Sequence, residues 1–217
     1  MDFVPAEDPD LDLLARWCAG DRAAGSALFD RHFADLFRFF ETKVGDETEE
    51  LVQRTFCACV HRRDQFRRQS SFRTFLFAIA RFELYAHWRQ RARHGQAIDF
   101  SEVSLAQVAT TPVTRLARNR QRDRLLRALQ SLPLESQLLI ELHYWEDMDS
   151  DALAEVFEIS PTTARTRLFR ARQALRAHME RDADRGAAPE PGRLDEWVGA
   201  LRAMRPARTA TVSARRS

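Results

Sequence analysis

The chain has 217 residues, 44% of them hydrophobic, and a formal net charge of +2. This length suits one large or two small domains, and the few glycines and prolines favour helices over a turn-rich β fold. No apolar run reaches the roughly 18 residues that a membrane span needs, and the acidic start is unlike a signal peptide. We therefore expect an all-α protein of the cytoplasm with no membrane span.

The small net charge conceals blocks of opposite sign. Residues 51–100 hold ten arginines and three acidic residues, whereas residues 131–160 hold eight acidic residues and no basic one. Such blocks indicate surfaces for different partners: the basic ones suit nucleic acid and the acidic ones a basic protein surface. Arginine outnumbers lysine 33 to 1, which suits bidentate phosphate and base contacts, although a GC-rich genome explains the same bias.

The sequence predicts a first helical domain over residues 9–94. Asp8 followed by Pro9 is typical of a helix start, and Gly45 is expected to end the long phenylalanine-rich second helix. Asp46 and Glu49 have the spacing of a capping box for a third helix through about residue 61. The apolar spacing places Cys18 and Val60 on inner faces. A fourth helix is expected over about residues 72–93.

The fourth helix combines an apolar stripe with arginines and aromatic side chains. Arginines follow phosphates and aromatic rings stack on unpaired bases, which is the combination that single-stranded DNA binding requires. The candidate residues on this helix and just before it are Arg67, Arg68, Arg73, Arg81, Tyr85, Trp88 and Arg89. A solvated basic face with its aromatics in the core explains the same pattern, so both interpretations stay open here.

Residues 95–115 lose helical periodicity and predict a flexible linker to a second helical domain over residues 116–182. In that domain a short helix, a tight turn at Ile159 and a helix with Ser160 as cap and Pro161 at its first position predict a helix-turn-helix. Its outward residues are Thr162, Thr163, Arg165, Thr166, Phe169 and Arg170. In a major groove, arginine recognises guanine, while threonine and aromatic groups contact thymine methyls. A helical hairpin with a polar surface is the alternative.

Catalytic and metal-binding patterns are lacking in the sequence. Cys18, Cys57 and Cys59 have no metal-ligand spacing. Cys57 and Cys59 suggest half of a zinc or redox site, but such residues in a helix more often serve as small buried side chains. There is no glycine-rich phosphate loop, and the six histidines are scattered. We expect no enzyme, no metal and no cofactor.

Both halves resemble extracytoplasmic-function (ECF) sigma factors of bacterial RNA polymerase, in the family's order, over about residues 11–180. Residues 49–56 look like the segment that docks on the β′ clamp helices. Residues 72–81 look like the helix that binds the −10 element, and about 65–71 like the loop that captures a flipped base. Residues 160–172 resemble the −35-binding helix. The resemblance implies polymerase contacts by Glu49, Glu50, Leu51, Gln53, Arg54 and Phe56.

The resemblance implies a protein that directs core polymerase to promoters and helps melt the −10 region. Its implied partners are core polymerase, through the β′ clamp helices and the β flap, promoter DNA and an anti-sigma factor. The chain departs from the family pattern at Arg54, often Glu, and at Asp147 and Glu158, often Gly. Phe82 and Ala86 replace a usual Asn and Asp, so the −10 preference does not carry over.

Residues 183–217 form an extension with one amphipathic pattern, formed by Leu194, Trp197, Val198, Leu201 and Met204. This stripe favours docking on the two domains or on a regulator over a frayed end. Two rival functions remain. A stand-alone helix-turn-helix regulator would bind duplex DNA without polymerase, and a redox-sensing interaction protein would use Cys57 and Cys59.

Overall fold

The computed structural model describes residues 9–63, 66, 70–91, 98–108 and 120–183, without the side chains of 108, 120–124, 182 and 183. Within these ranges the chain forms nine α-helices, one 3-10 turn and no β-strand, which confirms the expected all-α fold. The helices are α1 (Pro9–Cys18), α2 (Arg22–Val44), α3 (Thr48–Arg62), α4 (Phe72–Arg91), α5 (Leu105–Val108), α6 (Arg120–Gln130), α7 (Leu134–Trp145), α8 (Ser150–Phe157) and α9 (Pro161–Ala183). The predicted Asp8 cap and the amphipathic pattern over residues 194–204 lie outside the described residues.

Helices α1–α4 form a first bundle. Asp21 caps α2, because its carboxylate accepts the main-chain N–H groups of Ala23 (3.0 Å) and Ala24 (3.1 Å). Gly45 ends α2 with a φ of 60°, a conformation that glycine adopts without a steric penalty. The fully buried side chains of this core include Phe40, Phe72 and Phe77.

Helices α1 and α2 are joined by a close approach and a buried polar pair. An added Cβ atom at Gly25 of α2 would lie 2.6 Å from the ring of Trp17, so only glycine leaves room for this tryptophan. Asp10 of α1 lies 2.6 Å from His32 of α2 and 2.5 Å from Arg31. Burial alone would raise the pKa of the Asp10 carboxyl, but His32 and Arg31 outweigh it and lower that pKa below its ordinary value.

Two sequence expectations about inner faces are wrong. Cys18 is exposed, because Trp17 takes the inner position of α1. Val60 is also exposed, while Cys59 is buried. The buried positions of α3 are 48, 51, 52, 55 and 59, and Val60 in the last turn is not among them.

The predicted capping box at the start of α3 is also wrong. The N-cap residue is Glu47, and its side chain makes no capping hydrogen bond. Asp46 lies one residue too early, inside the 3-10 turn Gly45–Glu47. The hydroxyl of Thr48 instead donates to the carbonyl of Gly45 at 2.6 Å and links the turn to the helix.

The described part of the expected linker, residues 98–108, has local structure of its own. The carboxylate of Asp99 accepts a hydrogen bond from the N–H of Ser101 at 2.9 Å. This bond stabilises a turn that leads into α5. The main-chain N–H of Leu134 donates to the carbonyl of Val103, and that of Glu135 to the carbonyl of Phe100, both at 2.9 Å. This segment is therefore attached to the start of α7.

Helices α6–α9 form the second bundle, and the two bundles share one hydrophobic core. A buried ion pair crosses between them: the ammonium of Lys43, at the end of α2, donates to the carboxylate of Glu141 on α7. Lys43 also donates to the carbonyl of Phe39, and Gln137 donates to Glu141 at 2.7 Å. Both charged side chains are almost fully excluded from solvent. Helix α8 packs directly on α4.

We predict that Lys43→Met alone lowers the free energy of unfolding by about 3 kcal/mol, because the carboxylate of Glu141 stays buried without its cation. The double variant Lys43→Met, Glu141→Gln removes both charges and keeps an acceptor for Gln137, so it should recover most of that loss. Urea denaturation followed by circular dichroism measures both. Equal stability of the single and double variants would contradict burial of this pair.

Candidate nucleic-acid and polymerase interfaces

Helices α8 and α9 form a helix-turn-helix with a left-handed residue in its turn. Asp149 caps α8 by accepting the N–H groups of Asp151 and Ala152. Glu158 follows α8 with φ 56° and ψ 43°, and its N–H reaches back to the last carbonyls of the helix. A non-glycine residue in this conformation costs about 1 kcal/mol. The hydroxyl of Ser160 accepts the N–H of Thr163 at 3.1 Å, as expected for the cap of α9.

The outer face of α9 carries most of the side chains predicted for duplex DNA. The inner positions Ala164, Leu168, Ala171 and Leu175 are buried. The exposed ones are Thr162, Arg165, Thr166, Phe169 and Arg170. Phe169 is 59% exposed, the highest value among the large hydrophobic residues that the structure describes. Thr163 is half-buried because its hydroxyl and N–H both bond to Ser160.

Other arginines of α9 have structural partners. Arg167 forms an ion pair with Glu135 of α7, and the guanidinium of Arg172 lies 5.2 Å from the ring centre of Tyr144. Arg165 donates to the neighbouring hydroxyl of Thr162, at 3.3 Å. The structure thus separates arginines that hold the domain together from arginines that point to solvent.

Helix α3 presents an acidic and polar face. Glu49, Glu50 and Gln53 are exposed. Leu51 is fully buried in the core, so in this conformation its side chain does not lie on the exposed face, and a polymerase contact by Leu51 stays a prediction. Arg54 is bound within the bundle, with its Nη2 atom 2.9 Å from a carboxylate oxygen of Glu83 on α4.

Phe56 lies on the same helix but is half-buried. Its ring centre is 4.4 Å from that of Phe29 on α2. Most of the Phe56 side chain therefore stabilises the contact between α2 and α3, and only its edge is open to a partner.

Helix α4 is covered along most of its predicted DNA-binding face. Arg67 and Arg68 lie outside the described residues. Of the other candidates, Arg89 is exposed and Arg73 is half-buried, whereas Arg81, Tyr85 and Trp88 are buried. Burial raises the pKa of the Tyr85 hydroxyl. In this conformation the aromatic side chains of α4 belong to the core, as the second sequence interpretation allows.

The groups that cover α4 come from residues 98–108 and from the second helical domain. Glu146 accepts hydrogen bonds from Arg73 through both its carboxylate and its carbonyl. Glu158 lies 3.1 Å from Arg81, and the ring of Phe100 stacks on Tyr85 at 4.3 Å with an interplanar angle of 17°. Sequence reasoning missed these contacts, and the only signal for them was the opposite charge of residues 51–100 and 131–160.

Two family models match the chain: Sigma-70 region 2 over residues 28–94 and Sigma-70 region 4 over residues 122–175. Together they match more than half of the residues. The chain belongs to the sigma-70 family. Region 2 covers the helices with the acidic and basic faces, and region 4 covers the helix-turn-helix.

Curated relatives place it among the ECF type. It is 28% identical over 149 residues to the probable RNA polymerase sigma factor RfaY of Xanthomonas campestris, covering 65% of this chain and 37% of that protein. It is 25% identical over 175 residues to the ECF sigma-E factors of Salmonella typhimurium and Escherichia coli, covering 76% of this chain and 92% of theirs. The chain thus spans about a third of RfaY and nearly all of sigma-E.

Two solved structures share the fold. CnrH, in complex with the cytosolic domain of CnrY, aligns with a TM-score of 0.59 at 25% identity, covering 81% of this chain and 99% of CnrH. The sigma factor RpoE of Bartonella quintana, in complex with the anti-sigma factor NepR, aligns with a TM-score of 0.50 at 25% identity over 67% of this chain and 90% of RpoE. This chain is a sigma factor that directs RNA polymerase to promoters.

The cysteines of this sigma factor do not form the suggested pair. Cys57 is exposed and Cys59 is buried, because residues two apart project about 200° apart around a helix. Burial raises the pKa of the Cys59 thiol to about 12, so at neutral pH it is a protonated, unreactive thiol. In the described part of the chain no group of His, Cys, Asp and Glu residues forms a metal site. Likewise, none of the described helices is long and apolar enough to cross a membrane.

We predict that Ser160→Ala destabilises the second domain by about 1 kcal/mol, because the N–H of Thr163 loses its acceptor. Ser160→Asp should restore the stability, since a carboxylate caps the helix equally well, but it should weaken duplex DNA binding by repelling phosphates. Hydrogen exchange of α9 measures the first effect and a DNA binding titration the second. Ser150→Ala, at the first position of α8, is the control; equal loss there would argue against a specific cap.

Proposed function

We propose that this sigma factor contacts a promoter at two places while bound to core polymerase. The first domain, residues 9–94, binds the β′ clamp helices and helps to melt the −10 region. Residues 95–115 connect it to residues 116–182, which bind the −35 element and the β flap. The exposed arginine and threonine face of α9 carries this proposal, because Arg165 and Arg170 are exposed and form no ion pair with any residue that the structure describes.

At the −35 element, α9 enters the major groove with its N-terminal end. Arg165 and Arg170 are exposed there and supply forked donors that fit the acceptor edge of guanine. Thr162, Thr166 and Phe169 add methyl and ring contacts to thymine. The N-terminus of α9 faces the phosphate backbone, since helix N-termini favour anions.

At the −10 element, α4 and the residues before it contact the unpaired strand. Arg89 is exposed and offers its guanidinium to a phosphate, whereas the ring of Tyr85, 5.9 Å away, is buried in this conformation. Arg67, Arg68, Arg73, Arg81 and Trp88 complete the proposed set. Capture of a flipped base by residues 65–71 would offset an unstacking cost of a few kcal/mol.

On the polymerase, Glu49, Glu50 and Gln53 supply the exposed contacts of α3. Arg54 replaces a residue that is often acidic in the family, but its charge is balanced by Glu83 at 2.9 Å. We therefore propose that Arg54 acts mainly inside the bundle, together with the half-buried Phe56, and that the clamp contact is formed by the acidic residues beside them.

The remaining parts of the proposal concern regulation and location. RpoE of Bartonella quintana was solved with the anti-sigma factor NepR, and an anti-sigma partner fits the acidic and basic faces of this chain as well. The protein acts by binding and catalyses no reaction of its own. Because its targets are the polymerase and the chromosome, we place it in the cytoplasm. Residues 183–217 are proposed to dock on the sigma domains or on a regulator.

We predict that the double variant Glu49→Lys, Glu50→Lys does not co-purify with bacterial core polymerase. Two positive charges would replace two negative ones and would repel the basic surface that the acidic residues are proposed to contact. Asp30→Lys, an equal change of charge per site at an exposed position of α2, is the control and should retain binding. Pull-down and run-off transcription from fragmented genomic DNA measure the effects. If the double variant still bound core polymerase, the proposed α3 interface would be contradicted. Binding of duplex DNA without polymerase would favour the stand-alone regulator.

We predict that Arg165→Ala and Arg170→Ala each weaken specific duplex DNA binding by about 1–3 kcal/mol, or about 5- to 150-fold. The matched control on the same helix is Arg176→Ala, because Arg176 is exposed but paired with Glu180 at 2.8 Å, far from the N-terminal end. Polymerase binding should be normal in all three variants. If the control lost as much affinity as the others, α9 would act through charge alone.

A further inference from the structure

Two arginines of α4 bind carboxylates of the second domain. Arg73 is bonded by the side chain and carbonyl of Glu146, and its Nη2 atom also lies 3.6 Å from Asp35. Arg81 lies 3.1 Å from Glu158. Glu146 precedes α8 and Glu158 follows it, so the two carboxylates stand at the two ends of the helix that packs on α4.

Apolar contacts close the space between these ion pairs. The guanidinium of Arg81 lies 5.5 Å from the ring centre of Phe157, the last residue of α8. Phe100 stacks on Tyr85 from the other side. As a result Arg81 and Tyr85 are each only 7% exposed, and no DNA strand can reach them while α8 covers Arg81 and Phe100 covers Tyr85.

The backbone holds Glu158 where its carboxylate is needed. Its φ is 56°, in the left-handed region where glycine is the unstrained choice. Asp147, next to Glu146, also has a positive φ, of 51°. Unfavourable backbone conformations persist where the surrounding contacts fix them and often mark functional sites. Here the residue in the turn of the duplex-binding motif contacts an arginine of the other domain.

We propose that α8 with Glu146 and Glu158 is an internal mask for the −10-binding face, in which two carboxylates occupy the places of promoter phosphates. This rests on the proposed −10 role of α4. Carboxylate and phosphate oxygens offer a guanidinium the same forked acceptors, so Arg73 and Arg81 bind one or the other. The closed molecule and the DNA-bound molecule are therefore mutually exclusive, and the buried pair of Lys43 and Glu141 favours the closed one.

The mask should respond to salt and to the loss of its carboxylates. The side chain of Glu158 is 67% exposed, so added salt weakens its attraction to Arg81. Removing the two carboxylates leaves the DNA-binding arginines intact. When the competent state is only partly populated, apparent affinity falls by that fraction, so opening the mask raises it.

The test compares the full chain with the double variant Glu146→Gln, Glu158→Gln. The matched control is Asp151→Asn, Glu155→Gln, which removes two charges from exposed positions of α8 itself. X-ray scattering measures the radius of gyration at low and high salt. Fluorescence anisotropy measures binding of a labelled single-stranded DNA of mixed sequence. We expect the double variant to have the larger radius at low salt and to bind the DNA on the order of tenfold more tightly, with the control unchanged.

An unchanged radius of gyration in the double variant would overturn the mask, and so would an opened molecule with no gain in DNA affinity. Because Glu146 is buried, the single variant Glu158→Gln is measured as well; its exposed side chain places no demand on folding, and it should show part of both effects. Arg89→Ala separates the two proposals. If that change leaves binding of the single-stranded DNA intact, the −10 role of α4 fails, while the scattering still reports whether the molecule is closed.

Discussion

The arrangement of the two domains depends on one buried contact between an ammonium and a carboxylate. Lys43 is the only lysine of the chain, and it is placed where no water reaches it, against Glu141. Removing two charges from water costs several kcal/mol per ion, and their attraction offsets this only when geometry and extra hydrogen bonds are good. The carbonyl of Phe39 and the amide of Gln137 provide those bonds. The pair therefore stabilises little by itself but permits few alternative arrangements of α2 on α7.

Once α7 is fixed on α2, the position of α8 on α4 follows. Glu146 comes directly after α7, and it meets both Arg73 and, at 3.8 Å, the buried Arg38. Arg73, which the sequence assigned to nucleic acid, is thus used for an internal contact. On α9 the opposite holds, because Arg165 and Arg170 are exposed and no ion pair joins them to a residue that the structure describes. Arginine thus forms internal ion pairs on α4 and an exposed face on α9. The difference is that α8 packs against the arginines of α4, whereas this face of α9 has no helix packed on it.

How far the sequence predicts the structure differs between the two domains for the same reason. Proline, glycine and capping residues located most helix ends correctly, since these are local effects. The exposed face of α9 could be predicted from periodicity, because only one side of that helix is packed. Helix α4 is packed on both sides, so periodicity could not tell whether Tyr85 and Trp88 belong to a core or to a DNA surface.

Long-range polar partners were out of reach for any local pattern. Lys43 and Glu141 are 98 positions apart, and Arg81 and Glu158 are 77 apart. The same holds for the polymerase face on α3. Helical periodicity predicted the helix itself, but the burial of Leu51 and the pairing of Arg54 with Glu83 depend on α4. Only the opposite charges of whole blocks hinted that the two halves attract one another.

Glu158 shows how these constraints combine at one residue. A glycine there would satisfy the turn without the cost of about 1 kcal/mol that a left-handed side chain carries. The glutamate keeps the same main-chain hydrogen bonds to Ala154 and Glu155 and adds a carboxylate that reaches Arg81. Because that carboxylate is mostly exposed, its pair is weak and easily exchanged. A weak contact at this end of α8 is the one that DNA can displace first, whereas the buried Glu146 and the pair of Lys43 and Glu141 hold the two domains together elsewhere.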